Sequence, residues 1–335
     1  MSAPTMPSPE LIFDTLFAYQ KSAALKSAID LDIFTAIDEG ATSASAIAKR
    51  VNAAERGVRI LCDYLTVYGL LSKSGGSYDL AADSAAFLSK KSPAYLGTVA
   101  RFLVSPEIGK YMETLPEAVR RGGVQDVGHS SVADDNPIWV EFARSMMPMM
   151  IPNAHAIADL VGNGTTPSKV LDIAAGHGAF GIAIAQRNPH AEIVAVDWKA
   201  VLSVAEEHAK KSGVIGRYRT IPGDAFKVDY GTGYDVALVT NFLHHYGADT
   251  CTSLLKKIAG ALKPGGQVVI LEIVPNPDRV SPPLPAAFSL TMLADTVAGD
   301  AYTFAELRDQ LTRAGFRDVA AHPTPTPETI VIGRK

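Results

Sequence analysis

Apolar and polar residues recur along the chain with two different periods, and the change from one to the other divides it. Residues 11–37 carry Leu11, Ile12, Phe13, Leu16, Phe17, Ala24 and Leu25, a spread wider than one helical face, with an interruption near Asp30-Leu31-Asp32. A helix that is apolar on several sides must be buried on several sides, by a second subunit or within its own domain. The helical period continues through 44–50 and then through a longer stretch with Val58, Leu61, Leu65 and Leu70 on one stripe. Residues 71–80 read as a hairpin around Gly75-Gly76. Residues 95–162 are predicted mostly helical, with 120–136, rich in Gly, Asp and Ser, as a mobile loop.

From Ser168 onward short apolar runs alternate with amphipathic stretches, the pattern of a doubly wound parallel sheet. The predicted strands are 170–173, 192–196, 217–221, 236–240 and 267–272, followed by an antiparallel hairpin of 319–322 with 329–332. Lys263-Pro264-Gly265-Gly266 predicts a tight turn before the fifth strand, and the Thr/Pro cluster at 323–327 another. The expected fold is therefore α/β and Rossmann-like, a mostly parallel seven-stranded sheet behind a mainly α-helical N-terminal domain. The expected divisions are 1–95, a helical linker at 96–165 that contributes to a substrate pocket, and 166–335.

Composition narrows the function. The 335 residues are 47% hydrophobic and 20% charged, with a net charge of −4, which gives no electrostatic case for nucleic acid or an anionic membrane. Cys62 and Cys251 lie in unrelated segments without metal-ligand spacing, so neither a disulfide framework nor a metal site is expected. Residues 1–10 lack a basic-then-apolar leader, and no apolar run approaches the ~18 residues of a membrane span. The expectation is a soluble cytoplasmic protein. The helix–helix–hairpin layout of 42–80 is that of a winged helix, which raises DNA binding. Residues 42–91 carry only seven Lys/Arg against four Asp/Glu, however, and the would-be reading helix is crowded with Ile60, Leu61, Tyr64 and Leu65. An architectural use of this layout is favoured.

The densest chemistry lies in Val170-Leu171-Asp172-Ile173-Ala174-Ala175-Gly176-His177-Gly178-Ala179-Phe180-Gly181, an apolar run, a glycine-rich turn and a helix start. Glycines admit a ligand close to bare backbone, and the helix start offers unpaired N–H groups. Gly176 to Gly181 fits G-x-G-x-x-G with Asp197 21 residues after Gly176, so the loop alone suits both NAD and S-adenosylmethionine. Asp172 would repel a pyrophosphate but welcomes an ammonium and a sulfonium. Gly223-Asp224-Ala225-Phe226 offers an acid for an adenine amino group and a ring to pack on it. Nothing after the fifth strand resembles a second nicotinamide-binding half. S-adenosylmethionine is the expected cofactor, held by Asp172, Ala174, Gly176, Gly178, Asp197, Trp198, Asp224, Ala225, Phe226 and Asn241. His177 is expected to turn its ring to solvent.

With these motifs the chain resembles the class I S-adenosylmethionine-dependent methyltransferases. It is most similar to the metal-independent small-molecule O-methyltransferases of the plant caffeic-acid and bacterial antibiotic type. The 172–181 loop, Gly223-Asp224-Ala225-Phe226 and Lys263-Pro264-Gly265-Gly266 carry the superfamily resemblance, with Ala174 where many members have glycine. Leu243-His244-His245-Tyr246 stands where the family has Leu-His-Asp-Trp. The resemblance implies a winged-helix dimerisation domain, a homodimer, and methyl transfer to a hydroxyl of an aromatic small molecule. His244, just beyond the fourth strand at the carboxyl edge of the sheet, is the expected general base, with Glu272 orienting it. The family's second glutamate is replaced by Ala301, and the acid after the base by His245. His244 is alternatively a structural residue, the role favoured for His245. By the same resemblance Phe142, Met146, Met150, His245, Phe288, Met292 and Thr296 line the acceptor site. The four methionines of 146–150 offer a soft surface to a flat aromatic ligand, or plain core packing. Rival functions are C- or N-methylation of an aromatic natural product, a rearrangement that keeps the cofactor as a positive charge, and a winged-helix transcription regulator.

Overall fold

Left-handed residues punctuate the first helices: Asp32 (φ 58°) and Asn52 (φ 52°) turn the chain where a short polar side chain tolerates that conformation. The computed structural model describes residues 7–162, 164 and 168–335. They fall into two compact units, Met1–Ser105 and Pro106–Lys335. The expected boundary at 165/166, and residues 1–6 of the N-terminal stretch, lie outside the described residues.

The first unit contains α1 (Glu10–Leu16), α2 (Ala18–Asp30), α3 (Ile33–Asp38), α4 (Ala44–Val51), α5 (Glu55–Val67), the hairpin β1 (Leu71–Ser74) and β2 (Ser77–Leu80), α6 (Ala82–Phe87) and α7 (Ala100–Leu103). The helix–helix–hairpin order expected for 44–80 is present, and Gly75 and Gly76 both take positive φ, as a two-residue hairpin turn requires. Phe34, Ile47, Val58, Cys62, Leu65 and Tyr78 form its core. The apolar residues of α1 do not join that core: Leu11 is 76% exposed and Leu16 63%. Within its own unit α1 therefore leaves its apolar side chains uncovered. Several cations of this unit pair with its own acids, Arg50 with Glu39, Arg59 and Lys73 with Asp63, Lys90 with Asp32 and Lys91 with Asp38.

The second unit opens with α8 (Pro106–Glu113), α9 (Leu115–Arg121), α10 (Ile138–Ser145) and α11 (Met147–Val161). Then β3 (Ser168–Ile173), α12 (Ala179–Arg187), β4 (Ala191–Asp197), α13 (Lys199–Lys211), β5 (Tyr218–Pro222), β6 (Tyr234–Thr240), α14 (Ala248–Ala261) and β7 (Leu262–Glu272) alternate. It ends with α15 (Pro283–Asp295), α16 (Phe304–Arg313), β8 (Arg317–Pro323) and β9 (Thr329–Arg334). Among the described residues the sheet runs β5-β4-β3-β6-β7-β9-β8, parallel up to β7 and antiparallel through β9 and β8. The strands are apolar almost throughout because helices cover both faces. Lys263-Pro264-Gly265-Gly266 forms no separate turn: Gly265 (φ 77°) sits in an irregular start of β7, where the register against Tyr234 and Val236 shifts. Connections leave β3 toward β4 on one side and reach β6 on the other, so the carboxyl ends of β3 and β6 part and leave a crevice. No helix among the described residues is long and apolar enough to cross a membrane.

Candidate functional site

The crevice is floored by the glycine loop. Ala174 (φ 52°), Gly176 (φ 56°) and Gly178 (φ 76°) carry the backbone from β3 into α12 through left-handed conformations. A Cβ at Gly178 would lie 2.8 Å from the Tyr218 hydroxyl and 3.1 Å from Ala205. One at Gly181 would lie 2.7 Å from Ile193 and 2.8 Å from Asp172. Asp197, at the end of β4, accepts from the Gly176 N–H at 2.8 Å and the Trp198 N–H at 2.7 Å, pinning loop and next helix to one carboxylate. Asp172 lies wholly buried beneath the loop, where Oδ2 accepts from the Gly181 N–H at 3.2 Å and Oδ1 has no partner. Burial pushes Asp172 up to about 7 and Asp197 up to about 6. Two acids so strained in their charge favour a cationic group above the loop, and the bare glycines admit it closely. The residues therefore fit S-adenosylmethionine.

His177 does not face solvent as expected. Its ring is buried between Phe142 (centroids 6.0 Å apart) and Phe180 (5.7 Å), and Nδ1 accepts from the Ala179 N–H at 3.1 Å. The ring caps α12, satisfying an N–H that the first helical turn leaves free. Burial drives its pKa down to about 3, so the cap is neutral.

Asp224 and Phe226 project from the loop after β5. Asp224 accepts from the Phe226 N–H at 2.8 Å and pairs with Lys227 at 2.9 Å, while Phe226 packs against Phe242 and Tyr246. Ala225 is buried. Lys257, reaching from α14, donates to the carbonyls of Ala225, Phe226 and Val228 at 3.1, 2.9 and 2.6 Å, a clamp with no sequence signal. Trp198 packs beside Val201, Val204 and Ala143. Asn241 (φ 52°) follows β6, with Nδ2 3.5 Å from Met150 Sδ and Oδ1 unpartnered. All ten cofactor candidates lie in the carboxyl-end loops of β3 to β6 or at strand ends beside them.

His244 and Glu272 meet across neighbouring strand ends. His244 Nδ1 is 2.5 Å from Glu272 Oε2, while Glu272 Oε1 accepts from the backbone N–H groups of Phe242, Leu243 and His244 at 3.1, 2.8 and 3.3 Å. One carboxylate thus holds the turn 243–245 and the rotation of its ring. His245 meets Trp139 edge-on and lies tilted beside His244, at 5.1 and 4.2 Å between centroids, and burial drives its pKa far down. Phe288 of α15 sets its ring edge-on to His244 at 5.0 Å. Phe142 meets Trp139 at 5.6 Å, and Met146, Met150 and Met292 are buried.

Two features differ from expectation. Residues 120–136 are tied down: the Val124 N–H donates to Thr296 O and the Ser131 N–H to Asp295 O, both at 2.9 Å, and Trp139 Nε1 donates to Ser131 O. The Thr296 hydroxyl is engaged in the helix end, donating to Met292 O at 2.6 Å and accepting from the Gly299 N–H at 2.8 Å. The polar side chain that pattern reading missed there is Asp295, 5% exposed. A second missed group joins the buried Asn153 to the half-buried Thr326 and Glu328 through hydrogen bonds from Asn153 Nδ2. These partners lie 173 and 175 residues apart in sequence, and no local period brings them together.

A family model described as an O-methyltransferase domain matches residues 127–317, and one described as an O-methyltransferase dimerisation domain matches 13–90. The chain is similar to the tetracenomycin polyketide synthesis 8-O-methyl transferase of Streptomyces glaucescens, 29% identical over 98% of this chain and 97% of that one. It is 28% identical to the 3-hydroxy-5-methyl-1-naphthoate 3-O-methyltransferase of Streptomyces sahachiroi, over 99% and 97% of the two chains. A solved structure from Nostoc punctiforme, described as a candidate O-methyltransferase, is 47% identical with a TM-score of 0.94, covering 99% of this chain and 100% of that one.

Proposed function

The chain belongs to the O-methyltransferase family, and we propose that it methylates a hydroxyl of an aromatic small molecule, with His244 as general base and Glu272 as the group that positions it. The cofactor is S-adenosylmethionine, which when bound supplies a methyl group on a sulfonium, open to in-line attack. What this chain must add is alignment of the acceptor and removal of its proton.

The observation that carries the proposal is the His244–Glu272 pair. With Nδ1–H donated to Glu272 Oε2, the ring leaves Nε2 with its lone pair, ready to take a phenolic proton. A phenol near pKa ~10 gains from such a base at neutral pH. The imidazolium then formed is stabilised by the carboxylate 2.5 Å away. Phe142, Met146, Met150, Phe288 and Met292 supply soft apolar walls suited to a flat ring. Asp172, Ala174, Gly176, Gly178, Asp197, Trp198, Asp224, Ala225, Phe226 and Asn241 hold the cofactor in this proposal. His245 and Thr296 serve as wall and helix end.

The N-terminal unit serves as the dimerisation module, its exposed α1 being covered by a second copy of the chain. The pairing of Arg50, Arg59, Lys73 and Lys91 with acids of the same unit supports this over a regulator that reads DNA. His244→Ala tests the base. Turnover with a phenolic acceptor is expected to fall about 10²- to 10⁴-fold while S-adenosylmethionine affinity by calorimetry stays near wild type. Unchanged turnover would remove the base from the mechanism.

A further inference from the structure

Phe288, Met292 and Asp295 fall at i, i+4 and i+7 of α15, so they share one face of that helix. Phe288 meets the His244 ring, which directs this face at the acceptor chamber. Two of the three residues are apolar, as a chamber for a flat ring requires. The third is a carboxylic acid, 5% exposed, whose Oδ1 finds no hydrogen-bond partner. Its surroundings come from several elements. His244 in the turn after β6 and Tyr111 of α8 lie close enough to share its field, and the Ser131 hydroxyl sits between its backbone carbonyl and its carboxyl group, within reach of both.

A buried acid with an empty acceptor oxygen costs stability unless something donates to it. Among the described residues no donor reaches Oδ1, although the surroundings are otherwise closely satisfied: Thr296 is engaged twice, the carbonyl of Asp295 accepts from the Ser131 N–H, and the Ser131 hydroxyl lies within hydrogen-bonding reach of the carboxyl group. The helix end is closed by the backbone N–H and hydroxyl of Thr296 on the Met292 carbonyl, not by this side chain.

Building on the proposed acceptor site, we propose that Asp295 receives a second hydrogen-bond donor on the acceptor. The enzyme's substrates are then aromatic molecules bearing a neutral hydroxyl in addition to the one that is methylated. A neutral donor fits better than an ammonium. A cation held beside His244 would oppose the positive charge that its ring develops on taking a proton, whereas a hydroxyl would not. Sites built to hydrogen-bond a substrate hydroxyl reject analogues lacking it, because the buried partner is then left unpaired.

The test compares 1-naphthol with 1,2-, 1,3- and 1,8-dihydroxynaphthalene, each titrated by calorimetry into the full-length protein saturated with S-adenosylhomocysteine. At least one diol is expected to bind ten- to a hundredfold more tightly than 1-naphthol. Asp295→Ala is expected to bring that ratio close to one, and Asp295→Asn, which keeps an acceptor oxygen, to leave it in between. If no diol exceeds 1-naphthol in the wild type, or if both variants lower all four affinities equally, Asp295 is structural and the inference fails. Turnover of the same compounds with S-adenosylmethionine is read separately. Methylation without a diol preference overturns this inference alone. Absence of methylation at oxygen, with arenes bound, overturns the proposed reaction and the inference with it.

Discussion

Replacing Glu272 with Gln separates two jobs that one carboxylate performs. Oε1 accepts from three backbone N–H groups of the turn 242–244, while Oε2 faces His244 Nδ1. A glutamine must keep its carbonyl oxygen on the three N–H groups, since turning its NH₂ toward them would set donors against donors. Its NH₂ then points at Nδ1, which must become an acceptor. The imidazole proton moves to Nε2, the nitrogen that has to be free to act as base. The fold is therefore kept while the base is blocked, and kcat is expected to fall about 10²- to 10⁴-fold. Glu272→Ala acts differently: it leaves the buried Leu243 and His244 N–H groups without a partner, at about 1–3 kcal/mol each. The assay pairs single-turnover kinetics with thermal unfolding of both variants. Gln is expected to lose rate with little loss of midpoint, and Ala to lose both. If Glu272→Gln turns over within threefold of wild type, the tautomer argument is wrong and His244 is not the base.

Asp172 and Asp197 are pushed up to about 7 and about 6, above the carboxyl values of an unfolded chain. Their contribution to cofactor-free stability is full below about pH 4 and is lost as pH rises through 6 and 7. A cationic cofactor favours the ionised forms, so the rise in unfolding midpoint produced by S-adenosylmethionine should be larger at pH 8 than at pH 5.5. Asp172→Asn should raise the cofactor-free midpoint at pH 8 and weaken cofactor binding about tenfold; a pH-independent increment would contradict both. Gly178→Ala combines a left-handed backbone (φ 76°) with a Cβ 2.8 Å from the Tyr218 hydroxyl, so thermal unfolding should show a loss of about 1–3 kcal/mol together with weakened cofactor binding. Leu16→Asp on the exposed face of α1 should convert a dimer to a monomer at micromolar concentration by sedimentation, with no loss of cofactor affinity.

Much of this protein is legible without coordinates. The runs 193–196 and 236–239 are continuously apolar, as strands of a doubly covered parallel sheet are. The glycine loop is dictated by local geometry, because Gly176 and Gly178 take left-handed conformations that favour glycine. The expected break at Asp30-Leu31-Asp32 and the hairpin at Gly75-Gly76 are local in the same sense. His244 and Glu272 could be placed at neighbouring strand ends because strand order follows from connection rules.

Other features depend on groups that only the fold brings together. His177 looked like a polar residue free to face water, yet Phe142, from a helix 35 residues earlier in the chain, buries it and turns it into a cap (177 − 142). Residues 120–136 have the composition of a loop, but the carbonyls at the end of α15 give their N–H groups partners. Asp295 reads along the helix as one polar position among many; its unpaired oxygen is a property of the space around it. Sequence alone determined the sheet and the glycine loop, because periodicity and backbone geometry act over a few residues, while His244 and Glu272 were singled out by the family resemblance together with their places at strand ends. Tertiary structure decided which polar atoms are buried, paired or left waiting, because that depends on neighbours that no local pattern encodes.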